Sequence, residues 1–240
     1  MEIIVCKDYE AMSRRAAALA AEVLCETPDA LLSFPGGDTP LGFVHCFADR
    51  VNAGEIDISR ARYVSLDEWV GLGADDEGSC ARFNRTELLG RLEKPFLDTH
   101  IINGAAADIE AERAALDAYI AQYGPLSLSV LGIGMNGHLG FNEDGVDFGL
   151  NAHIIPLSET TKKVMPKYFG EKFHPEYGIS QGIAQIMAAK RVVLLANGAH
   201  KAEIVARACR GAVTNRVPAS ILQNHPNCFV IVDEAAAAGL

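Results

Sequence analysis

Two hydrophobic periods alternate along this chain, and that alternation limits its fold more than any single motif does. Six short runs are IIVC (3–6), ALLSF (30–34), ARYVSL (61–66), LSLSVLGIG (126–134), RVVLLAN (191–197) and CFVIV (228–232). They are rich in apolar and β-branched residues and bounded by turn formers, so they read as buried strands. Between them, 8–26, 40–53, 79–92, 108–123, 198–210 and 218–224 carry helical patterns. In the first of these Asp8 is placed to cap the helix, and Met12, Ala16, Leu19, Val23 and Leu24 form an apolar stripe. Strand–helix alternation predicts an α/β fold: a single doubly wound, mainly parallel sheet with helices on both faces. With no repeat, low-complexity tract or linker, 1–240 is expected to be a single domain. The stretch 144–178 has weak periodicity and reads either as a mobile flap or as an ordinary connecting excursion.

Charge and cysteine usage narrow the partners. A formal net charge of −10 argues against a nucleic-acid or anionic-membrane surface, but not against one small phosphate held by a few cations and backbone amides. No apolar run reaches the ~20 residues that span a bilayer, and the N-terminus lacks a leader pattern. The six cysteines are scattered without CxxC spacing, which fits free thiols in a reducing compartment. The expected location is the cytoplasm.

In open α/β sheets ligands bind at the carboxyl ends of strands, so the strand ends carry the functional reading. The second run ends in FPGGDTP (34–40). Gly36 and Gly37 permit close approach of a ligand, Thr39 can cap the next helix, and Pro40 suits its first turn. This segment is either a tight turn with a helix cap or an anion cradle. It matches neither GxGxxG nor GxxxxGK[ST], so a dinucleotide or P-loop site is excluded. The third run ends in SLDEWVGL, where Asp67 and Glu68 point to opposite faces: one can enter the crevice while the other bonds to backbone or a helix end. Trp69 is expected to pack. The fourth run delivers LGIGMNGHLGFNEDG, with Gly132, Gly134 and Gly137 letting backbone approach a ligand. His138 there is either structural or an acid–base group steadied by Glu143. The fifth ends in LLANGAHKAEIV, where Lys201 is either a solvated lysine or a cation for an anion over the sheet edge. No HxxxH or HxH spacing points to a metal.

Taken together, FPGGDTP, SLDEWVGL, LGIGMNGHLGFNEDG, GAHKAEIV and VPASILQNH resemble the glucosamine-6-phosphate deaminase/isomerase family, in its order and over residues ~30 to ~225. The resemblance implies a Rossmann-like sheet and conversion of a 2-amino-2-deoxyhexose 6-phosphate and water to a ketose 6-phosphate and ammonia. It implies Asp67 as the base moving a proton between C2 and C1, and His138, assisted by Asn136 and Glu143, as the ring-opening group. Gly36, Gly37, Asp38, Thr39, Lys167 and Lys201 are implied at the phosphate. No metal or organic cofactor is implied, and whether the chain is a monomer or a homo-oligomer is left open.

Three departures from the family pattern stand out. Asn136 replaces an aspartate of many longer members and is expected to orient the imidazole through its side-chain oxygen. Asp144 replaces the usual proline after FNE and is expected to loosen that loop. Lys167 stands where the family has a phosphate-binding arginine, keeping the charge but losing the bidentate fork. The short C-terminus lacks the tail of allosteric members, so a non-allosteric enzyme is expected. Galactosamine 6-phosphate as substrate is the close alternative, because the motifs serving C1, C2 and the phosphate do not sense C4. A 6-phosphogluconolactonase and a non-catalytic sugar-phosphate sensor are the more distant ones.

Overall fold

The computed structural model describes residues 1–170 and 172–240. The first half contains β1 (Glu2–Cys6), α1 (Tyr9–Glu26), β2 (Leu31–Ser33), α2 (Asp38–Asn52), β3 (Arg62–Val64), β4 (Asp67–Trp69), α3 (Cys80–Phe83), β5 (Asp98–His100) and α4 (Ile109–Tyr123). The second half contains β6 (Leu128–Gly132), β7 (His153–Pro156), α5 (Glu159–Val164), α6 (Pro166–Phe169), β8 (Tyr177–Ser180), α7 (Ile183–Met187), β9 (Val192–Ala196), α8 (Ala202–Arg210) and β10 (Cys228–Asp233).

Seven strands form one sheet in the order β1-β10-β9-β6-β2-β3-β5, with every neighbouring pair parallel. The reversal of strand order and the helices on both faces agree with the doubly wound expectation. Alternation along the strands builds two cores. Leu31, Val192, Leu194, Val230 and Val232 turn toward Leu116 of α4, Ile183 of α7 and Ile204 of α8. Leu32, Val193, Leu195 and Ile231 turn the other way, onto Met12 and Leu19 of α1 and Phe43 and Phe47 of α2. Asp8 caps α1 as expected, its carboxylate accepting from Ala11 N at 2.7 Å.

Four short strands escaped the sequence reading. β5 is Asp98-Thr99-His100, polar and at the sheet edge, so it has no apolar pattern to see. β4, β8 and β7 form a separate three-stranded antiparallel sheet. The run ARYVSL therefore stops as a main-sheet strand at Val64, and the chain crosses to this second sheet at Asp67. Under it lies a third apolar cluster of Trp69, Leu72, Phe141, Leu157, Met165 and Phe169. The two sheets are joined by Gln181, whose Nε2 donates to Ser33 Oγ (2.8 Å) and Ser65 O (2.9 Å).

The helical reading of 79–92 is also corrected: only Cys80–Phe83 is α-helix, followed by a π turn (Asn84–Leu88) and a 3-10 turn (Leu89–Arg91). Pro218–Asn224 is 3-10 rather than α-helix. The stretch 144–178 holds β7, α5, α6 and the start of β8; residue 171 within it lies outside the described residues. No helix among the described residues is long and apolar enough to cross a membrane.

Candidate active site

The ends of β2, β6 and β9 and the start of β4 surround a cavity of about 730 Å³, closed on one side by α5 and α6. Gly36, Gly37, Asp38, Thr39, Asp67, His138, Lys167 and Lys201 all line it. Asn136 and Glu143 do not; they stand behind His138.

His138 follows β6 in a tight loop closed by Gly137 N to Gly134 O (3.0 Å) and Gly134 N to His138 O (3.0 Å). A Cβ at Gly134 would sit 2.3 Å from the His138 Nε2, so this glycine makes room for the imidazole rather than for a ligand. The space at Gly137 is likewise filled from within, by Val217. His138 Nδ1 faces Glu143 Oε2 at 3.2 Å. That carboxylate is 3% exposed and accepts further hydrogen bonds from Asn136 Nδ2 (3.1 Å), Thr161 Oγ1 (2.5 Å) and, more weakly, Ser158 N (3.4 Å). Burial alone would raise its pKa; the hydrogen bond and charge of His138, with those of Thr161 and Asn136, outweigh it and hold Glu143 at about 2. A carboxylate so held stays ionised and steadies an imidazolium.

Asn136 does not orient the ring as expected. Its Oδ1 accepts from the His138 backbone N (3.2 Å) and its amide donates to Glu143, so it shapes the loop and positions the carboxylate. The loop after Glu143 is not loose either. Asp144 pairs with Arg216 (3.3 Å), and Gly145 N donates to Asn215 O (2.8 Å). Thr161 and Ser158 were missed in sequence. The available signal was Ser158 ahead of Glu159-Thr160-Thr161: its hydroxyl caps α5 by accepting from Thr161 N, which delivers the Thr161 hydroxyl to Glu143.

Asp67 and Glu68 divide their roles as the strand geometry requires. Glu68 is fully buried and accepts from Trp69 N (2.8 Å), Cys80 N (3.0 Å) and Ala81 N (2.6 Å), capping α3. Burial pushes its carboxyl up, while those donors favour the charged form. Asp67 faces the cavity. Burial raises it to about 6, against the lowering influence of the Cys80 thiol and of His138. A base near 6 is ionised at neutral pH and can still return its proton. Trp69 packs on Phe141 (4.6 Å between centroids) and Phe169 (5.5 Å), as expected. Cys80, Tyr168 and Asn197 also line the cavity, without a signal in the sequence pattern.

The far end of the cavity is built on the N-terminus of α2. Gly37, at φ +106°, is its N-cap and supplies no side-chain cap, so first-turn amides stay open to an anion. The expected capping by Thr39 does not occur: Thr39 lies inside the first turn, and its hydroxyl donates to Asn197 Oδ1 (2.7 Å) beyond β9. Lys201 donates to Ile133 O at 2.7 Å, and burial together with the nearby Lys167 lowers it to about 8. Lys167 faces Asp38, with 2.5 Å between Nζ and Oδ2. Among the described residues no group of three or more His, Cys, Asp or Glu is placed to hold a metal ion.

Sheet, strand-end crevice and paired acid–base groups define an enzyme of the open α/β class acting on a small ligand. Residues 8–230 match the family described as glucosamine-6-phosphate isomerases/6-phosphogluconolactonase, and the chain belongs to that family. It is 39% identical over 239 residues to a glucosamine-6-phosphate deaminase of Shouchella clausii, covering 99% of this chain and 97% of that one. It is 40% identical to one of Lachnoclostridium phytofermentans, covering 96% and 98%. Among solved structures, a monomeric glucosamine-6-phosphate deaminase superposes with TM-score 0.95 at 32% identity over 100% of both chains. A 6-phosphogluconolactonase from Leishmania guyanensis, at TM-score 0.80, 19% identity and 100% and 98% coverage, shares the fold.

Proposed function

We propose that this chain is a glucosamine-6-phosphate deaminase, converting glucosamine 6-phosphate and water to fructose 6-phosphate and ammonia. One observation carries the reading: Asp67 and the Glu143-backed His138 line a single crevice whose other end offers the amides of α2 and Lys201. With the phosphate at α2, the sugar extends toward the acid–base groups. His138 exchanges protons with the anomeric hydroxyl and the ring oxygen, which opens the pyranose to the aldehyde. Glu143, Asn136 and Thr161 hold the imidazole for that step. Asp67 then removes the C2 proton, acidified by the C1 carbonyl, and returns it to C1 through an enolamine. The resulting C2 imine adds water and expels ammonia, balancing the reaction. The ring-opening and C2-to-C1 protons move through His138 and Asp67, so the reading invokes no metal or organic cofactor.

The curated relatives at this level of identity are named deaminases, whereas the lactonase structures are 17–19% identical and bear on the fold alone. All six cysteines are free thiols, which supports a cytoplasmic location. The test is ammonia release from glucosamine 6-phosphate and galactosamine 6-phosphate side by side. Faster turnover of the glucosamine epimer is expected; preference for the galactosamine epimer, or release from neither, refutes the reading.

A further inference from the structure

The phosphate end of the crevice contains an acid. Asp38 opens α2, where amides converge to receive an anion, yet its carboxylate stands 2.5 Å from Lys167 Nζ, and both residues line the cavity. The second cation, Lys201, is engaged by the Ile133 carbonyl. Neither ammonium group therefore waits unpartnered for a phosphate, and one of them is neutralised by a carboxylate.

The backbone that carries Asp38 is pinned. The Tyr9 hydroxyl stands between the Asp38 carbonyl, to which it donates (2.8 Å), and the Gly42 amide, from which it accepts (2.7 Å). A Cβ at Gly42 would collide with Ser13 Oγ (2.5 Å) and the Tyr9 ring (2.9 Å), so only glycine admits this wedge. Next to Asp38, Thr39 is tied to Asn197. The backbone that carries the carboxylate is thus fixed at the phosphate end. Ionised, the carboxylate can only accept hydrogen bonds and offers a phosphate dianion nothing but repulsion. Asp38 is expected among the substrate- and phosphate-binding residues, and the chemistry of its carboxylate favours a competing role there.

We propose that Asp38 sets the affinity of the phosphate end, as a built-in competitor that phosphate must displace from Lys167. The inference rests on the phosphate reading of this crevice. A singly charged anion gains little by separating Asp38 from Lys167. A sugar-borne dianion that also collects the α2 amides and Lys201 gains enough.

Because the pair is exposed, at 59% and 72% of its side-chain surfaces, its effect is modest. Asp38→Asn is expected to lower KM for glucosamine 6-phosphate, and the dissociation constant of inorganic phosphate, by about three- to tenfold, the range of an exposed charge pair plus relief of repulsion. Lys167→Ala is expected to raise KM, since it bares the acid, and Asp38→Asn in that background is expected to recover part of the loss. Steady-state ammonia release gives KM, and titration calorimetry with inorganic phosphate reads the site without turnover. Unchanged or weaker phosphate binding by Asp38→Asn overturns the proposal, whether or not the wild-type protein releases ammonia. Absence of ammonia release by the wild type, with tighter phosphate binding by the variant, would refute the deaminase reading and leave the competitor role standing.

Discussion

Thr161→Val separates the hydroxyl's contribution from its volume. Thr161 is 2% exposed and Glu143 is 3% exposed, so neither group can turn to bulk water once the hydroxyl is gone. Valine fills nearly the same space but leaves Glu143 Oε1 with only the 3.4 Å contact from Ser158 N. A hydrogen bond to a charged group contributes about 1.5–3 kcal/mol, and an orphaned buried partner sits at the upper end of such losses. A loss of ~2 kcal/mol lowers the Tm of a chain this size by roughly 4–8 °C. The pH dependence has a defined sign. Glu143 titrates at about 2 rather than the ordinary 4.5, so its stabilisation is present above 4.5 and is lost as pH falls toward 2. Removing one donor moves the folded value upward, so the gap between variant and wild type should be full near neutral pH and shrink below about pH 4. Freed on one oxygen, the carboxylate holds His138 less well, and kcat should fall by about tenfold with little change in KM, the signature of an interaction used in the reaction rather than in binding. Thr161→Ser should restore both. Thermal melts across pH and ammonia-release kinetics measure these quantities; wild-type Tm and kcat in Thr161→Val would refute the role given to the Glu143 network.

Other outcomes follow from the same geometry. Asp67→Asn should abolish deamination yet raise stability: displacement of the carboxyl from 3.8 to about 6 means that its ionised form opposes folding above that range. Since Asp67 keeps contact with the cleft, the gain should be about 1–2 kcal/mol by urea denaturation near pH 8 and vanish below about pH 4; no gain would contradict the burial argument. Cys80→Ala should move the acid limb of the kcat profile to higher pH, because the thiol is one of the groups lowering Asp67. Lys201→Ala should raise KM more than it lowers kcat, and in the wild type KM should climb above about pH 8 as this lysine loses its proton. His138→Gln should cripple deamination while keeping more C1 proton exchange of fructose 6-phosphate in the presence of ammonia; equal loss of both would remove the division between ring opening and proton transfer.

What the sequence made legible follows its hydrophobic signal. The runs at 126–134, 191–197 and 228–232 are buried on both faces and became β6, β9 and β10, as continuous apolar runs suit covered parallel strands, while 3–6 became the partly exposed edge strand β1. β5 was invisible because its three residues are all polar, and β8 because four residues with one aliphatic side chain carry no period. At the crevice, motif residues with a charge of their own, Asp67, His138, Lys167 and Lys201, could be picked out. Their supports could not. Thr161 reaches Glu143 from 18 positions away and Gln181 reaches Ser33 from 148, separations that only the folded chain closes. Thr39 was misread because a local rule assigned it the helix cap and tertiary structure supplied Asn197, whereas the Asn136 oxygen takes a closer partner than the ring, the His138 backbone amide.

The second sheet has a consequence for how this architecture can change. β7 and β8 are antiparallel neighbours in register, Pro156 opposite Tyr177, so the chain leaves for α5 and α6 and returns at adjacent points. Neighbouring strands lie about 4.8 Å apart whatever the chain does between them. Residues 157–176 are therefore a replaceable cassette whose ends are clamped by backbone pairing. Length and composition there can drift, reshaping the roof over the crevice, while β4 holds Asp67 from the opposite edge of the same small sheet. Among the described residues that freedom is bounded by Ser158 and Thr161, which reach down to Glu143, by Lys167, which faces Asp38, and by Leu157, Met165 and Phe169, which pack with Trp69. A segment that retains those residues can vary at its remaining positions, and exchanging it between relatives is the direct way to reshape the roof of the crevice without replacing Asp67, His138 or Glu143.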